Sequence, residues 1–289
     1  MIRKIVLITL TILSLKANEC HVPASIASMT KEFATPTNDT LRHTRALSSL
    51  CVKELSFKEG KYHWRMLLVW NPQQPKGAFW YLPHDNENVA FDSALYATQK
   101  YGGGFLSVIS NDERLFRGQD PNRNFGTTAA HARVCSEQKY PAPLYVAHVF
   151  KVINAFKERG YPYLTLHSNS NGYTGNGGEG HISMLQNSST VLSYPAHAIR
   201  QGKRLGLSDE DSLIFIASTT RTPDLAKIKR FNALGINVKY EWVNANRNDC
   251  SMSNYVILTL GTSSYINIEV EHGDSDTQKV MIDKVLSLY

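Results

Sequence analysis

Phe79-Trp80-Tyr81-Leu82-Pro83-His84-Asp85-Asn86-Glu87 sets four β-forming residues directly before a proline, an imidazole and two carboxylates. A short apolar run that stops abruptly at polar residues reads as a strand delivering its end to a site. Asn88 to Lys100 follows with Val89, Phe91, Ala94, Leu95 and Ala97 at roughly helical spacing, and predicts a helix closed by Gly102-Gly103-Gly104. Phe105 to Ile109 then predicts a second strand, so this stretch is a strand–helix–strand unit.

Working outward, Tyr62 to Trp70 and Gly77 to Leu82 are rich in β-formers and flank Asn71-Pro72-Gln73-Gln74-Pro75-Lys76, which predicts a hairpin. Pro143 to Glu158, with proline first and Gly160 beyond its end, predicts a helix, and Leu164 to Leu166 a strand. Residues 168–180 read as a loop of Gly, Asn and Ser. Leu213 to Ala217, Asn237 to Val243, Tyr255 to Leu260 and Tyr265 to Val270 predict strands; Pro223 to Leu234 and Asp276 to Leu288 predict helices. Strands alternating with helices imply a single α/β domain, with a mixed, mostly parallel sheet flanked by helices on both faces.

The 289 residues suffice for one large domain, and 42% apolar with 19% charged residues excludes disorder and a multi-span membrane protein. Arg3 and Lys4 precede an apolar run, Ile5 to Leu15, the pattern of a secretory signal peptide with cleavage expected after Ala17. The run is short for a membrane span, so no integral span remains after cleavage. Three of the 31 basic residues, Arg3, Lys4 and Lys16, lie in this leader and no acid does, so its removal lowers the net charge from +6 to +3. With no basic cluster, nucleic acid is not an expected partner. The division expected is residues 1–17 as leader, 18–60 as an N-terminal extension and 61–289 as the catalytic domain. Cys20, Cys51, Cys135 and Cys250 are widely spaced and make no CxxC pair, which excludes a zinc ribbon. In an oxidising compartment they predict two disulfides. Of the three pairings, Cys20–Cys51 with Cys135–Cys250 is favoured, because the first ties down the N-terminal segment.

Four segments carry chemistry. His84 and Glu87 form an HxxE pair, and zinc accepts imidazole nitrogen together with carboxylate oxygen. Taken alone, a surface histidine and a helix-capping glutamate explain the pair as well. Asp120-Pro121-Asn122-Arg123-Asn124-Phe125-Gly126 puts a guanidinium fork, suited to gripping a carboxylate, between two amides. Leu164-Thr165-Leu166 delivers His167 and Ser168 at the end of a strand, where open α/β sheets place ligand sites. Asn267-Ile268-Glu269-Val270-Glu271 sets two acids on one side of a strand.

In that order the four segments resemble the M14 family of zinc carboxypeptidases, including its aspartoacylase-like relatives, over roughly residues 62–289; the DPNRNF segment is the most specific match. The resemblance implies one zinc ion on His84, Glu87 and His167, with Asn122 and Arg123 binding the substrate's terminal carboxylate. It also implies Glu269 as general base, with Glu271 as the alternative, and Arg114 or Arg117 stabilising the transition state. The tyrosine of the digestive members has no clear counterpart; Tyr240 and Tyr255 are candidates. The implied activity is hydrolysis of an amide bond beside a free carboxylate by a monomeric, periplasmic or secreted protein. A peptide or peptidoglycan fragment is the expected substrate. Two rival readings are a zinc deacylase of small N-acyl amino acids and a non-catalytic binding module of the same fold.

Overall fold

The computed structural model describes residues 20–135, 137–172, 182–202 and 204–289. The leader assigned to residues 1–17 and much of the glycine-rich loop lie outside the described residues. Among the described residues ten strands form one sheet: β1 (Thr30–Glu32), β2 (Cys51–Glu59), β3 (Tyr62–Trp70), β4 (Phe79–Leu82), β5 (Gly104–Val108), β6 (Tyr163–Asn169), β7 (Val191–Tyr194), β8 (Leu213–Ser218), β9 (Val238–Trp242) and β10 (Tyr265–Glu271). The order is β1-β2-β3-β5-β4-β6-β10-β8-β9-β7. The central run β5, β4, β6 and β10 is parallel, as are β8 and β9; the remaining neighbours are antiparallel.

The helices are α1 (Asn38–Arg42), α2 (Thr44–Leu47), α3 (Asn88–Tyr101), α4 (Ala129–Val134), α5 (Pro143–Phe156), α6 (Leu225–Ala233), α7 (Met252–Leu258) and α8 (Ser275–Leu286). Side-chain alternation along the strands assigns the two faces. Trp80, Leu82, Leu164, Leu166, Ile266 and Ile268 meet α3, α6 and α8 in one apolar cluster. Phe79, Tyr81, Leu106 and Val108 meet α5 and α7 in the other. Both faces are therefore covered, as a largely parallel sheet requires.

Two expectations are corrected. β3 and β4 are not a hairpin, because β5 lies between them, with Phe105 opposite both Val69 and Trp80. The proline-rich link reads as a tight turn, yet it folds against the glycine segment: Asn71 N donates to Gly103 O at 2.9 Å and Gly103 N to Gln74 O at 2.8 Å. Gly103 has φ 66°, and a Cβ there would lie 2.0 Å from Ala78 O, so only glycine lets β5 slide in beside β4. The true hairpin joins β2 and β3, with Glu59 opposite Tyr62. The second correction is Tyr255 to Leu260, expected as a strand and mostly helical within α7. Ser251 caps that helix by accepting from Asn254 N, worth about 1 kcal/mol, and Met252 and Val256 pack on the sheet. Capping and burial outweigh the β-propensity of Tyr255-Val256-Ile257.

The segment assigned as an extension supplies β1 and β2 to the same sheet. The disulfides are Cys20–Cys51 and Cys135–Cys250, the expected pairing. No helix among the described residues is long and apolar enough to cross a membrane.

Candidate metal centre and cavity

The site grows from the carboxyl ends of the parallel strands. On β6, Leu164 and Leu166 face one apolar cluster, so Thr165 and His167 face the other side. On β10, Ile266, Ile268 and Val270 likewise leave Asn267, Glu269 and Glu271 on the α5/α7 side. β4 ends at Leu82 and the chain turns through His84 to Glu87, which precedes α3. His84, Glu87 and His167 are each buried, and one potential ligand atom from each lies within 4.8 Å of the others.

His84 Nδ1 is 2.7 Å from Glu87 Oε1, and His167 Nδ1 is 3.2 Å from Glu87 Oε2. The other nitrogen of His84, Nε2, is 2.9 Å from Asp120 Oδ1. A carboxylate behind an imidazole fixes its tautomer and leaves the opposite nitrogen free to bind metal. His167 Nε2 is buried with no hydrogen-bond partner. Burial alone would raise the Glu87 pKa, but the positive charge offered by His84 and His167 holds it well below the ordinary range. Burial alone would lower His84; Glu87 and Asp120 outweigh it and raise the imidazole. A cation already rests on the set, since Arg114 Nη1 donates to Glu87 Oε1 at 2.9 Å and lies 3.2 Å from His84 Nδ1. Two imidazoles and a carboxylate that attract positive charge in a buried pocket fit zinc.

A cavity of about 280 Å³ opens beside this set, lined by Glu87, Arg114, Asn122, Arg123, His167 and Glu269, among others. Glu269 takes a hydrogen bond from Asn267 Nδ2 at 2.8 Å. Its pKa is raised by burial, with His167 opposing and Glu87 reinforcing the shift. Glu271, two residues on, is fully engaged elsewhere: its carboxylate accepts from Arg204 N and from Asn171 Nδ2. Arg123 is 9% exposed, with Nε 3.4 Å from Asp249 Oδ2 and 3.8 Å from Glu137 Oε1. Asn122 Oδ1 accepts from Met252 N at the start of α7. Arg117 stands apart; it is exposed, has φ 49° and covers the Phe116 ring. Tyr240 points to the opposite apolar cluster and Tyr255 packs on Phe125 and Phe150, so neither lines the cavity. Tyr265 does line it, its hydroxyl 2.8 Å from that of Thr165.

Sequence reasoning gave Asp120 no role, although it opens the DPNRNF segment; the His84 contact spans 36 residues, which a linear reading cannot measure. It also missed Glu241, which shares with Lys239 the face of β9 opposite Val238 and Tyr240 and lines the cavity.

No protein-family model matches the chain, and no curated protein matches it. Among solved structures it is similar to a candidate metallopeptidase of Shewanella amazonensis SB2B, at 11% identity over 89% of this chain and 97% of that one, with a TM-score of 0.45. It is also similar to the murein-tripeptide amidase MpaA of Escherichia coli O157, at 13% identity over 76% and 86%, TM-score 0.38. A third is bovine thrombin-activatable fibrinolysis inhibitor, solved with a tick carboxypeptidase inhibitor, at 12% identity over 86% and 93%, TM-score 0.41. Likenesses this distant carry no role or substrate across, and the fold class rests on the sheet order and its two helical layers.

Proposed function

We propose that the chain is an exported zinc metallocarboxypeptidase that hydrolyses an amide bond beside a free carboxylate, with peptides such as cell-wall stem peptides as the substrate class. The observation that supports this is the single cavity onto which Glu87, His167, Glu269, Arg114 and Arg123 all open. Two disulfides suit an extracytoplasmic location.

His84, Glu87 and His167 would hold the ion, with Asp120 fixing the His84 ring. Zinc bound there supplies water ionised near neutral pH and polarises the scissile carbonyl. Glu269 accepts the proton of the attacking water and passes it to the departing amine. Its raised pKa suits that double duty, because a weaker acid is a stronger base and still returns the proton. Arg114 donates to the oxygen on which negative charge develops. Arg123, held beside Asn122, grips the terminal carboxylate and so fixes which bond meets Glu269.

The test is product analysis by mass spectrometry after incubating zinc-loaded protein with three substrates. One is a peptide with a free carboxyl terminus, the second the same peptide amidated, and the third an N-acetyl amino acid. Release of the last residue from the free peptide alone is the expected result. Cleavage of the N-acetyl amino acid alone would transfer the assignment to a deacylase.

A further inference from the structure

We infer that Tyr145 of α5 is a positioning residue, which sets the carboxylate clamp at a fixed distance from the metal centre through a strut of buried hydroxyl groups. The inference deepens the carboxypeptidase reading and rests on it for the meaning of the clamp.

The strut starts on β4. Tyr81 lies three residues before His84, and its hydroxyl bonds that of Tyr145. Tyr145 Oη in turn donates to Pro121 O at 2.9 Å. Both phenols are fully buried. A phenol has one proton to give, and a carbonyl can only accept. Tyr145 spends its proton on Pro121, so Tyr81 is the donor to Tyr145. Pro121 opens the short turn Pro121–Arg123, which is hydrogen-bonded within itself: Arg123 N donates to Asp120 O at 3.0 Å and Asn122 N to Asp120 Oδ1 at 2.7 Å. The same Oδ1 lies 2.9 Å from His84 Nε2. Chain and hydrogen bonds thus close a ring. It runs from Tyr81 along β4 to His84, across to Asp120, through Pro121 to Tyr145 and back. One side of the ring carries a ligand of the proposed metal; the other leads into Asn122 and Arg123.

Tyr145 is itself firmly mounted. Glu59 accepts from Leu144 N at 2.7 Å and from Tyr145 N at 3.1 Å, which anchors the first turn of α5 to the β2–β3 hairpin. The Tyr145 ring packs on Trp64 and Phe125, with centroids 4.6 and 5.6 Å away. The clamp turn has other ties, but they run elsewhere. Gln119 Nε2 donates to Asp120 O and Arg123 O from within the same loop, and Asn122 Oδ1 accepts from Met252 N of α7. Neither reaches β4, the strand that delivers His84. Placement at this scale matters, because shifting a reacting group by about 1 Å can cost about 10²-fold in rate.

The experiment compares Tyr145→Phe, Tyr81→Phe and the double variant with the unmodified protein. It reads three quantities: the ratio of kcat/KM for a free-carboxylate peptide to that for its amide, zinc affinity against a chelating dye, and Tm. A merely structural role would lower Tm and the active fraction, which scales both peptides alike and leaves the ratio unmoved. Tyr145→Phe should lower the ratio about tenfold, within what a small misplacement costs. It should also weaken zinc by a few fold, less than the about 10–100-fold expected for losing the contact behind His84 itself. Tyr81→Phe keeps the bond to Pro121 and should cost distinctly less in the ratio. The double variant leaves no orphaned phenol, so its Tm should recover relative to Tyr145→Phe while its ratio stays low; it answers the same question if Tyr145→Phe alone does not fold. A ratio within about twofold of the unmodified value in both Tyr145 variants would overturn the proposal and leave the carboxypeptidase reading intact. So would a loss in Tyr81→Phe as large as in Tyr145→Phe. If the unmodified protein cleaves neither peptide, the carboxypeptidase reading falls and zinc affinity decides alone: weaker binding in Tyr145→Phe supports the strut. Equal zinc affinity in the unmodified protein and both Tyr145 variants would overturn it whatever the activity.

Discussion

Glu269 of β10 stands in parallel register with His167 of β6, so the carboxylate and the imidazole emerge side by side from adjacent strands and face one cavity. The pairing makes the distance between a potential general base and a potential metal ligand a property of the sheet. A strand pair is a stiffer mount than a loop, which is what proton transfer at fixed reach demands.

Glu269→Gln should therefore keep metal and substrate but lose turnover. Gln is nearly isosteric and cannot accept the proton, so kcat should fall by about 10²–10⁴-fold with little change in KM. Glu271→Gln is the control, because that carboxylate is occupied by Arg204 N and Asn171. Steady-state kinetics of both variants decide the matter. A dead Glu271→Gln beside an active Glu269→Gln would reverse the assignment.

Arg123→Ala should act on KM. Removing the clamp should cost free-carboxylate substrates at least about tenfold in kcat/KM, the low end for a charge-assisted hydrogen bond, while an amidated peptide loses little. The variant should thus narrow the gap between the two peptides. An unchanged gap would show that another group reads the carboxylate.

Asp120→Asn should weaken zinc affinity by about 10–100-fold, because the carboxylate behind His84 orients the ring. His167→Ala should weaken it further by removing a ligand. Competition against a chelating dye measures both. Equal zinc affinity in all three proteins would place the metal elsewhere or nowhere.

Stability should decline as pH rises from about 4 to about 8. Asp211 is pushed up from 3.8 to about 8 by burial and by the neighbouring charges of Asp209 and Glu210. Between those values the folded chain binds a proton that the unfolded chain does not, so raising the pH favours unfolding. Asp211→Asn can keep the acceptor for Asn169 Nδ2 and has no charge to bury. Its Tm should fall less than that of the unmodified protein between pH 5.5 and 8. Parallel Tm curves for the two proteins would refute the account.

Much of this site was legible because strand ends punctuate themselves. Leu82-Pro83-His84 and Leu166-His167 each pass from apolar to ligand-type residues in one step, and the paired acids on β10 follow from alternation. Alternation could not choose between Glu269 and Glu271, since both point the same way; the choice depends on what lies above each one. Spacing could not settle Arg114 against Arg117, although Arg114 was preferred, and the turn that pairs Phe116 with Gln119 separates them. The hairpin expectation failed because neighbours in sequence and neighbours in a parallel sheet differ: β5 starts only at Gly104, after the whole of α3, and inserts itself between β3 and β4. Asp120 and Glu241 belong to the same class of miss, side chains whose meaning depends on partners remote in the chain.

The Cys135–Cys250 bridge has a consequence in time. Cys250 is adjacent to Asp249, the carboxylate nearest Arg123, and its carbonyl accepts from Phe125 N two residues beyond that arginine. The covalent tie, closed across 115 residues, thus braces both sides of the clamp. A freshly made chain in a reducing compartment has no such brace, so the two sides of the clamp are tied together only after oxidation. Activity on the peptide with a free carboxyl terminus should accordingly drop when the bridge is removed by Cys135→Ser with Cys250→Ser, while zinc binding, which uses neither cysteine, persists.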